Sequence, residues 1–148
     1  MSGHVIISHG LESGPEASKA AALARVAGQL GWTHERPDYR DLDVLGPLGD
    51  VAGRILRLGA RAHLCERRPL VLAGDFNDWA RRLDRPLAQM GLRCHHGLPT
   101  PTFPARMPMV QLDRIYARGL RPVSSHTPHG SIWARMSDHL PLTAEFAF

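Results

Sequence analysis

The chain has 148 residues, with 18 Lys plus Arg against 14 Asp plus Glu, so it carries a net charge of +4 when its histidines are neutral. Apolar residues make up 43% and charged residues 22%, ordinary globular usage that excludes a disordered tail, a collagen-like fibre and a coiled coil. No run approaches the roughly 18 apolar residues of a membrane span, and residues 1–10 lack the charged and long apolar regions of a secretory signal.

Taken in chain order, Val5, Ile6 and Ile7 predict a buried strand over 4–8. Ser13 with Glu16 three residues on predicts a capping box, and Pro15 is tolerated because a first-turn N–H has no partner to lose. The Ala-rich stretch 17–30 then reads as a helix closed by Gly31. A second strand is expected over 32–36, ended by Pro37. Residues 39–49 hold Asp41, Asp43, Gly46, Pro47 and Gly49 and read as a loop. Asp50 is expected to cap a second helix whose apolar face is Val51, Ile55, Leu58, Ala62 and Cys65. Residues 69–74 are apolar on both faces, the mark of a central strand. A polar turn over 75–78 leads into an interrupted helix over 79–90, recapped at Asp84 and closed by Gly91.

Beyond Gly91, prolines recur at 99, 101, 104, 108, 122, 128 and 141, and no helix-length pattern survives. Strands are expected over 110–117 and 142–148, with a weaker one over 132–135, and 98–109 reads as an exposed loop. The whole is expected to be α/β: a central mixed β-sheet with flanking helices, β-α-β-α in the first half and strand-rich in the second. A single compact domain over 1–148 is expected, built from segments 1–67 and 68–148.

Three polar clusters fall at expected strand ends: Asp75, Asn77 and Asp78; Gln111, Asp113 and Arg114; and Ser137, Asp138 and His139. Carboxylates held near an imidazole can bind a divalent cation and activate water. An Asp that accepts the imidazole proton fixes its tautomer and raises its basicity. An Asn can offer its amide N–H to a phosphate oxygen. These parts suit in-line hydrolysis of a phosphate ester.

Residues 68–148 resemble the C-terminal half of the endonuclease/exonuclease/phosphatase family. The resemblance rests on GDFNDW from Gly74 to Trp79, TFPAR from Thr102 to Arg106, QLDRIY from Gln111 to Tyr116, and SDHLP from Ser137 to Pro141. It implies catalytic roles for Asp75 at the nucleophile or leaving group, Asn77 on the phosphate, and Asp113 paired with His139. His139 would contact the scissile phosphate or act as base. It also implies Asp138 as a metal ligand, with Mg²⁺ or Mn²⁺ as the ion. The implied substrate is a phosphate ester, either nucleic acid or small molecule, and the oligomeric state is left open. The family's first-strand Asn and its Gln-Glu pair have no match here. Ser8 stands near the position of the Asn, and no Gln-Glu pair occurs in the chain.

Residues 3–74 instead resemble the start of a small bacterial α/β-hydrolase. HVIISHGLESGP from His4 to Pro15, ERPDYRDLD from Glu35 to Asp43, and RPLVLAG from Arg68 to Gly74 carry this likeness. That family's strand runs into a nucleophile elbow, G-x-S-x-G. Here Gly74 would open the elbow, Phe76 stands in the Ser position and Asp78 replaces the second Gly. The two resemblances meet at the shared strand from Arg68 to Gly74, so a chimeric or truncated chain is expected. The reading is a divalent-metal phosphodiesterase or phosphatase with an incomplete site. An esterase-like remnant without its Ser nucleophile, and a fold without activity, are the alternatives.

Other candidates have bland readings that outweigh the functional ones. Glu35, Asp38, Asp41 or Asp43 could replace the missing Glu, but a solvated loop is the commoner reading. His95, His96, His126 and His129 read as loop histidines, and adjacent strand residues face opposite ways. Trp79 and Trp133 could border a cleft, though core packing is commoner. Arg81 and Arg82 read as a solvated helix face. Of the 18 basic residues 17 are Arg and only Lys19 is Lys, a bias that reflects codon usage more than nucleic-acid binding. Cys65 and Cys94 fit neither zinc spacing nor a disulfide framework and read as reduced thiols of a cytoplasmic protein.

Overall fold

The computed structural model describes residues 3–7, 14–43, 53, 57, 69–94 and 100–148. Among them, a five-stranded mixed sheet runs in the order β2-β1-β3-β5-β4. Here β1 is His4–Ile7, β2 Thr33–Glu35, β3 Leu70–Asp75, β4 Arg93–Cys94 and β5 Asp113–Arg118. β1 pairs in parallel with both β2 and β3, while β3–β5 and β4–β5 are antiparallel. The α/β fold class and the central place of the apolar strand are thus as the sequence led us to expect.

Period-two alternation along these strands gives the sheet two different faces. One face buries Ile6, Leu70, Leu72 and Tyr116 with Phe76, Leu83, Leu87 and Leu92 in the main core. Each such aliphatic side chain stabilises the fold by about 1.5–3 kcal/mol through burial. The other face carries Val5 and Ile7, against which α1 (Ser18–Gln29) packs Ala20 and Ala24. Small alanines let this helix lie close to β1. Further along the same face, over β3 and β5, lies an open cleft.

Helix α1 ends as expected. Gly31 has φ +73, its N–H bonds the carbonyl of Gly28 at 3.0 Å, and Trp32 N–H bonds that of Ala27 at 2.9 Å. The start differs. The N-cap is Ala17 with no side-chain bond, and Glu16 is paired with Arg36 at 3.1 Å instead of closing a capping box. Ser13 lies outside the described residues. The expected loop over 39–49 contains a short helix, α2 (Arg40–Asp43), and residues 44–49 lie outside the description. So does nearly all of the expected helix after Asp50, apart from Gly53 and Arg57. The helix expected over 79–90 is shorter, α3 (Asp84–Gln89), with Pro86 in its first turn and Gly91 (φ +76) closing it. Asp84 does not cap it. Its carboxylate accepts from Tyr116 Oη at 2.7 Å and from Arg81 Nε at 2.8 Å.

Three further expectations are corrected in the last third. Residues 132–135 were expected as a weak strand, but Trp133–Met136 forms helix α4. The region around Pro122 forms a strand, β6 (Arg121–His126), that pairs with β7 (Thr143–Ala147) in a separate hairpin-like sheet. Pro122 is tolerated because this ribbon has free edges. The stretch 98–109 is not simply exposed: Thr102 is fully buried and Ala105 is 6% exposed. No helix of the described residues is long and apolar enough to cross a membrane.

Candidate active site

The site begins with a register. β3 and β5 end on the pair Asp75↔Asp113, so two carboxylates stand side by side at one end of the central antiparallel pair. Alternation places both on the face opposite to Leu72 and Tyr116, which is the face of the cleft. Like charges facing each other across strands repel, and a neighbouring cationic group relieves that repulsion. His139 stands there. Its Nδ1 donates to Asp113 Oδ2 at 2.7 Å, and its Nε2 lies 4.0 Å from Asp75 Oδ2. Ligand atoms of Asp75, Asp113 and His139 all fall within 4.8 Å of one another, and all three residues are half-buried.

Each member is held in place. Asn77, at φ +49, turns the chain so that its N–H bonds Asp75 Oδ1 at 2.9 Å. Its side-chain oxygen accepts from Trp79 Nε1 at 2.9 Å. His139 sits in the loop between α4 and β7, and that loop is strapped down by the TFPAR segment. Ala105 N–H bonds the Asp138 carbonyl at 2.7 Å, and Leu140 N–H bonds that of Thr102 at 2.8 Å. The Phe103 ring lies 4.9 Å from the imidazole. Thr102 and Phe103 are therefore positioning residues that composition alone had read as exposed loop. The signal that could have found them is the TFPAR motif itself.

Beneath the site, Arg114 and Asp78 form a buried ion pair at 2.8 Å, 1% and 2% exposed at the side chain. Asp78 also accepts from the backbone N–H groups of Arg82 and Leu83 at 2.9 Å, and Arg114 donates to the Asp78 carbonyl at 2.7 Å. Both carboxylate oxygens of Asp78 are thus engaged, which helps a buried pair to be tolerated, while Arg114 Nε is buried with no hydrogen-bond partner among the described residues.

The hydrogen bond to Asp113 is the largest influence on His139 and raises its pKa above that of free imidazole. Partial burial opposes this, and the nearby charges of Asp113, Asp75 and Asp138 reinforce it. Asp113 thus favours the imidazolium and orients the ring.

Of the residues expected from sequence, Asp75, Asp113 and His139 come together. Asn77 sits behind Asp75. Asp138 lines the cleft but stands outside the three-residue cluster, with its Oδ1 accepting from Ser137 Oγ at 3.2 Å. The cleft holds about 720 Å³, and Lys19, Leu23, Trp133 and Met136 are on its walls. Trp133 thus borders the cleft, and Trp79 is 59% exposed, so neither serves as core. Phe76, in the place of a nucleophilic Ser, is fully buried edge-on against Tyr116 at 5.5 Å. Asp38 and Asp41 pair with Arg40 and Arg57, Glu35 stands 3.5 Å from His4, and Asp43 ends α2, so none of these acids belongs to the cluster. Arg81 pairs with Asp84. His126 ends β6 against Thr143 Oγ1 at 3.0 Å, and Cys94 is half-buried in β4. Ser8, Cys65, His95 and His96 lie outside the described residues.

A mixed sheet that presents paired carboxylates and an Asp-held imidazole at one end defines an α/β scaffold suited to hydrolysis. The chain belongs to the Endonuclease/Exonuclease/phosphatase family, whose model matches residues 23–139. The match starts well ahead of Arg68, so it reaches into the segment that resembles an α/β-hydrolase. The family's description joins nucleases and phosphatases, and the family generally uses divalent metals.

The chain is 39% identical over 87 residues to the uncharacterized protein YbhP of Escherichia coli strain K12, and equally to that of Shigella flexneri. These matches cover 55% of this chain and 34% of the relatives, so the chain spans about a third of the length of the curated relatives it matches. A crystal structure of a "putative hydrolase of the alpha/beta superfamily" from Xanthomonas campestris pv. campestris is similar at 58% identity. It covers 47% of this chain and 43% of its own, with a TM-score of 0.44.

Proposed function

We propose that this chain is a phosphoesterase, a phosphodiesterase or phosphatase, that works through Asp75, Asp113 and His139. The observation that carries the proposal is the 2.7 Å bond from His139 to Asp113 directly across from Asp75, at the mouth of the cleft. With Nδ1–H committed to Asp113, the neutral ring leaves Nε2 as a proton acceptor facing Asp75. The 4.0 Å between Nε2 and Asp75 Oδ2 is too long for a hydrogen bond and suits a shared water or phosphoryl oxygen.

In the proposed reaction His139 Nε2 takes a proton from that water as its oxygen bonds to phosphorus. The ester P–O bond breaks, and the leaving oxygen takes a proton from solvent or through Asp75. Asp113 holds the ring and stabilises the imidazolium that forms. Asn77 fixes Asp75 through its backbone N–H and is the expected phosphate contact.

A divalent ion fits the donor chemistry, because Mg²⁺ is held by one or two carboxylates and keeps waters and substrate oxygens as its remaining ligands. Asp75 and Asp113 would hold it, with Asp138 as the rim carboxylate. When bound it supplies Lewis acidity to the phosphoryl oxygens. Mn²⁺ suits the same set and tolerates a nearby imidazole better. We read segments 1–67 and 68–148 as one domain, and the cytoplasm, where thiols stay reduced, as its setting.

The test is hydrolysis of bis-p-nitrophenyl phosphate with Mn²⁺. It should be lost with EDTA and fall by about 10²–10⁴-fold in His139→Ala, the usual weight of a general base. Metal-independent cleavage of p-nitrophenyl acetate, unaffected by His139→Ala, would overturn the reading. The esterase alternative has little support, since Phe76 offers no nucleophilic atom and is sealed in the core.

A further inference from the structure

The cleft is short of fixed positive charge for the substrate class proposed. Asp75, Asp113 and Asp138 line it, and a phosphate group entering meets three carboxylates. Of the arginines and lysines among its described lining residues, Arg114 is buried and committed to Asp78. Lys19, the sole lysine of the chain, is the other, and it is exposed. Helix α1 brings it to the cleft from the segment that resembles an α/β-hydrolase, and there it reaches the loop that carries His139.

The contact is specific. Lys19 Nζ donates to Ser137 Oγ at 3.0 Å across 118 residues of sequence. The same hydroxyl donates to Asp138 Oδ1 at 3.2 Å and accepts the His139 backbone N–H at 3.3 Å. One donor and two acceptor sites of the serine are thereby filled. The ammonium keeps two further N–H donors with no hydrogen-bond partner among the described residues. It is tied one residue from Asp138 and two from His139, at the rim of the same cleft.

We propose that Lys19 binds the non-bridging phosphoryl oxygens of the substrate and shifts the charge preference of the site toward the dianionic phosphomonoester, relative to the same site without it. This rests on the phosphoester reading above. The physical reason is Coulombic. A dianion is repelled by the three carboxylates about twice as strongly as a monoanion, and it gains about twice as much from the ammonium. Loss of Lys19 therefore penalises the monoester more.

The experiment compares the full chain, Lys19→Gln and Lys19→Arg with Mn²⁺ at about pH 8, above the second phosphate pKa of about 6. p-Nitrophenyl phosphate and bis-p-nitrophenyl phosphate are the substrates, and calorimetric binding of inorganic phosphate is the second readout. Lys19→Gln should raise KM for the monoester roughly tenfold with little change in kcat, and KM for the diester about threefold or less. Its phosphate affinity should fall roughly tenfold, and Lys19→Arg should restore both. Equal effects on the two substrates, or none, would overturn the inference and leave the phosphoesterase reading standing. If the wild-type chain cleaves neither substrate, that reading fails. Phosphate binding then decides for Lys19 alone, with unchanged affinity in Lys19→Gln counting against it.

Discussion

His139 has its ring nitrogens in different surroundings: Nδ1 is bonded to Asp113, while Nε2 faces Asp75 across a gap. That asymmetry makes the residue testable apart from any turnover. In the metal-free protein its imidazole should titrate above the free value, and Asp113→Asn should bring it down, as followed by NMR of the ring protons. The sign for stability follows from the raised folded-state pKa. The stabilising contribution is fully present below the unfolded pKa of about 6.5 and is lost as pH rises through the folded value. The stability gap between wild type and Asp113→Asn should therefore narrow as pH is raised above about 6.5 in denaturant titrations; a gap that widens would contradict the pairing. The buried pair makes a second prediction. Arg114→Met strands Asp78 in the core and should cost about 3–5 kcal/mol in urea unfolding. Phe76 was legible as a lost nucleophile from its position in the motif. That its ring would pack against Tyr116 was not, because the partner lies in another strand.

Among the elements, β3 does most to organise the molecule. Leu70 and Leu72 point into the core while Asp75, an odd number of residues from Leu72, points to the opposite face. Leu72→Ala should cost about 2–5 kcal/mol, since neighbours on a sheet cannot close the cavity. Val123 of β6 is 51% exposed, and Val123→Thr should change stability by no more than about 0.5 kcal/mol in the same assay. The sequence showed β1, α1, β2, β3 and β7 because period and stop signals agreed there. Gly31 and Gly91 both stop helices through positive φ, as their positions suggested. It misled at 132–135, where Ile132 and Trp133 suggested a strand. A four-residue helix forms there, with Ala134 N–H bonded to the Gly130 carbonyl at 3.1 Å. Strand β6 was hidden because Pro122 and the polar residues Ser124 and Ser125 give no apolar period. It pairs with β7 from Arg121↔Ala147 to His126↔Thr143, across an intervening helix and loop that local patterns cannot see past.

For the whole molecule, the two faces of the sheet have different duties. One is sealed by the core, and the other is covered over β1 by α1 and open over β3 and β5. A metal held mainly by Asp75 and Asp113 has few protein ligands, so binding should be weak. Mn²⁺ should raise Tm only at concentrations well above Kd, following the logarithmic dependence for a ligand that binds the folded state. Asp75→Asn should remove that rise, and thermal melts across a metal titration would show it. A large rise that persists in Asp75→Asn would place the ion elsewhere.

The sequence alone determined the α/β class, the central strand and the residue types of the site, because alternation, stop residues and ordered motifs are local properties of the chain. It also showed that the family's Gln-Glu pair is missing. Only the tertiary structure decided that Asp75 and Asp113 are register partners and that His139 bonds Asp113. It likewise decided that the TFPAR strap is partly buried and that Lys19 reaches Ser137. These are contacts between residues from 26 to 118 positions apart in sequence. Such contacts depend on strand register and on how a helix lies across a sheet, and those follow from burying the faces together rather than from any one stretch of residues.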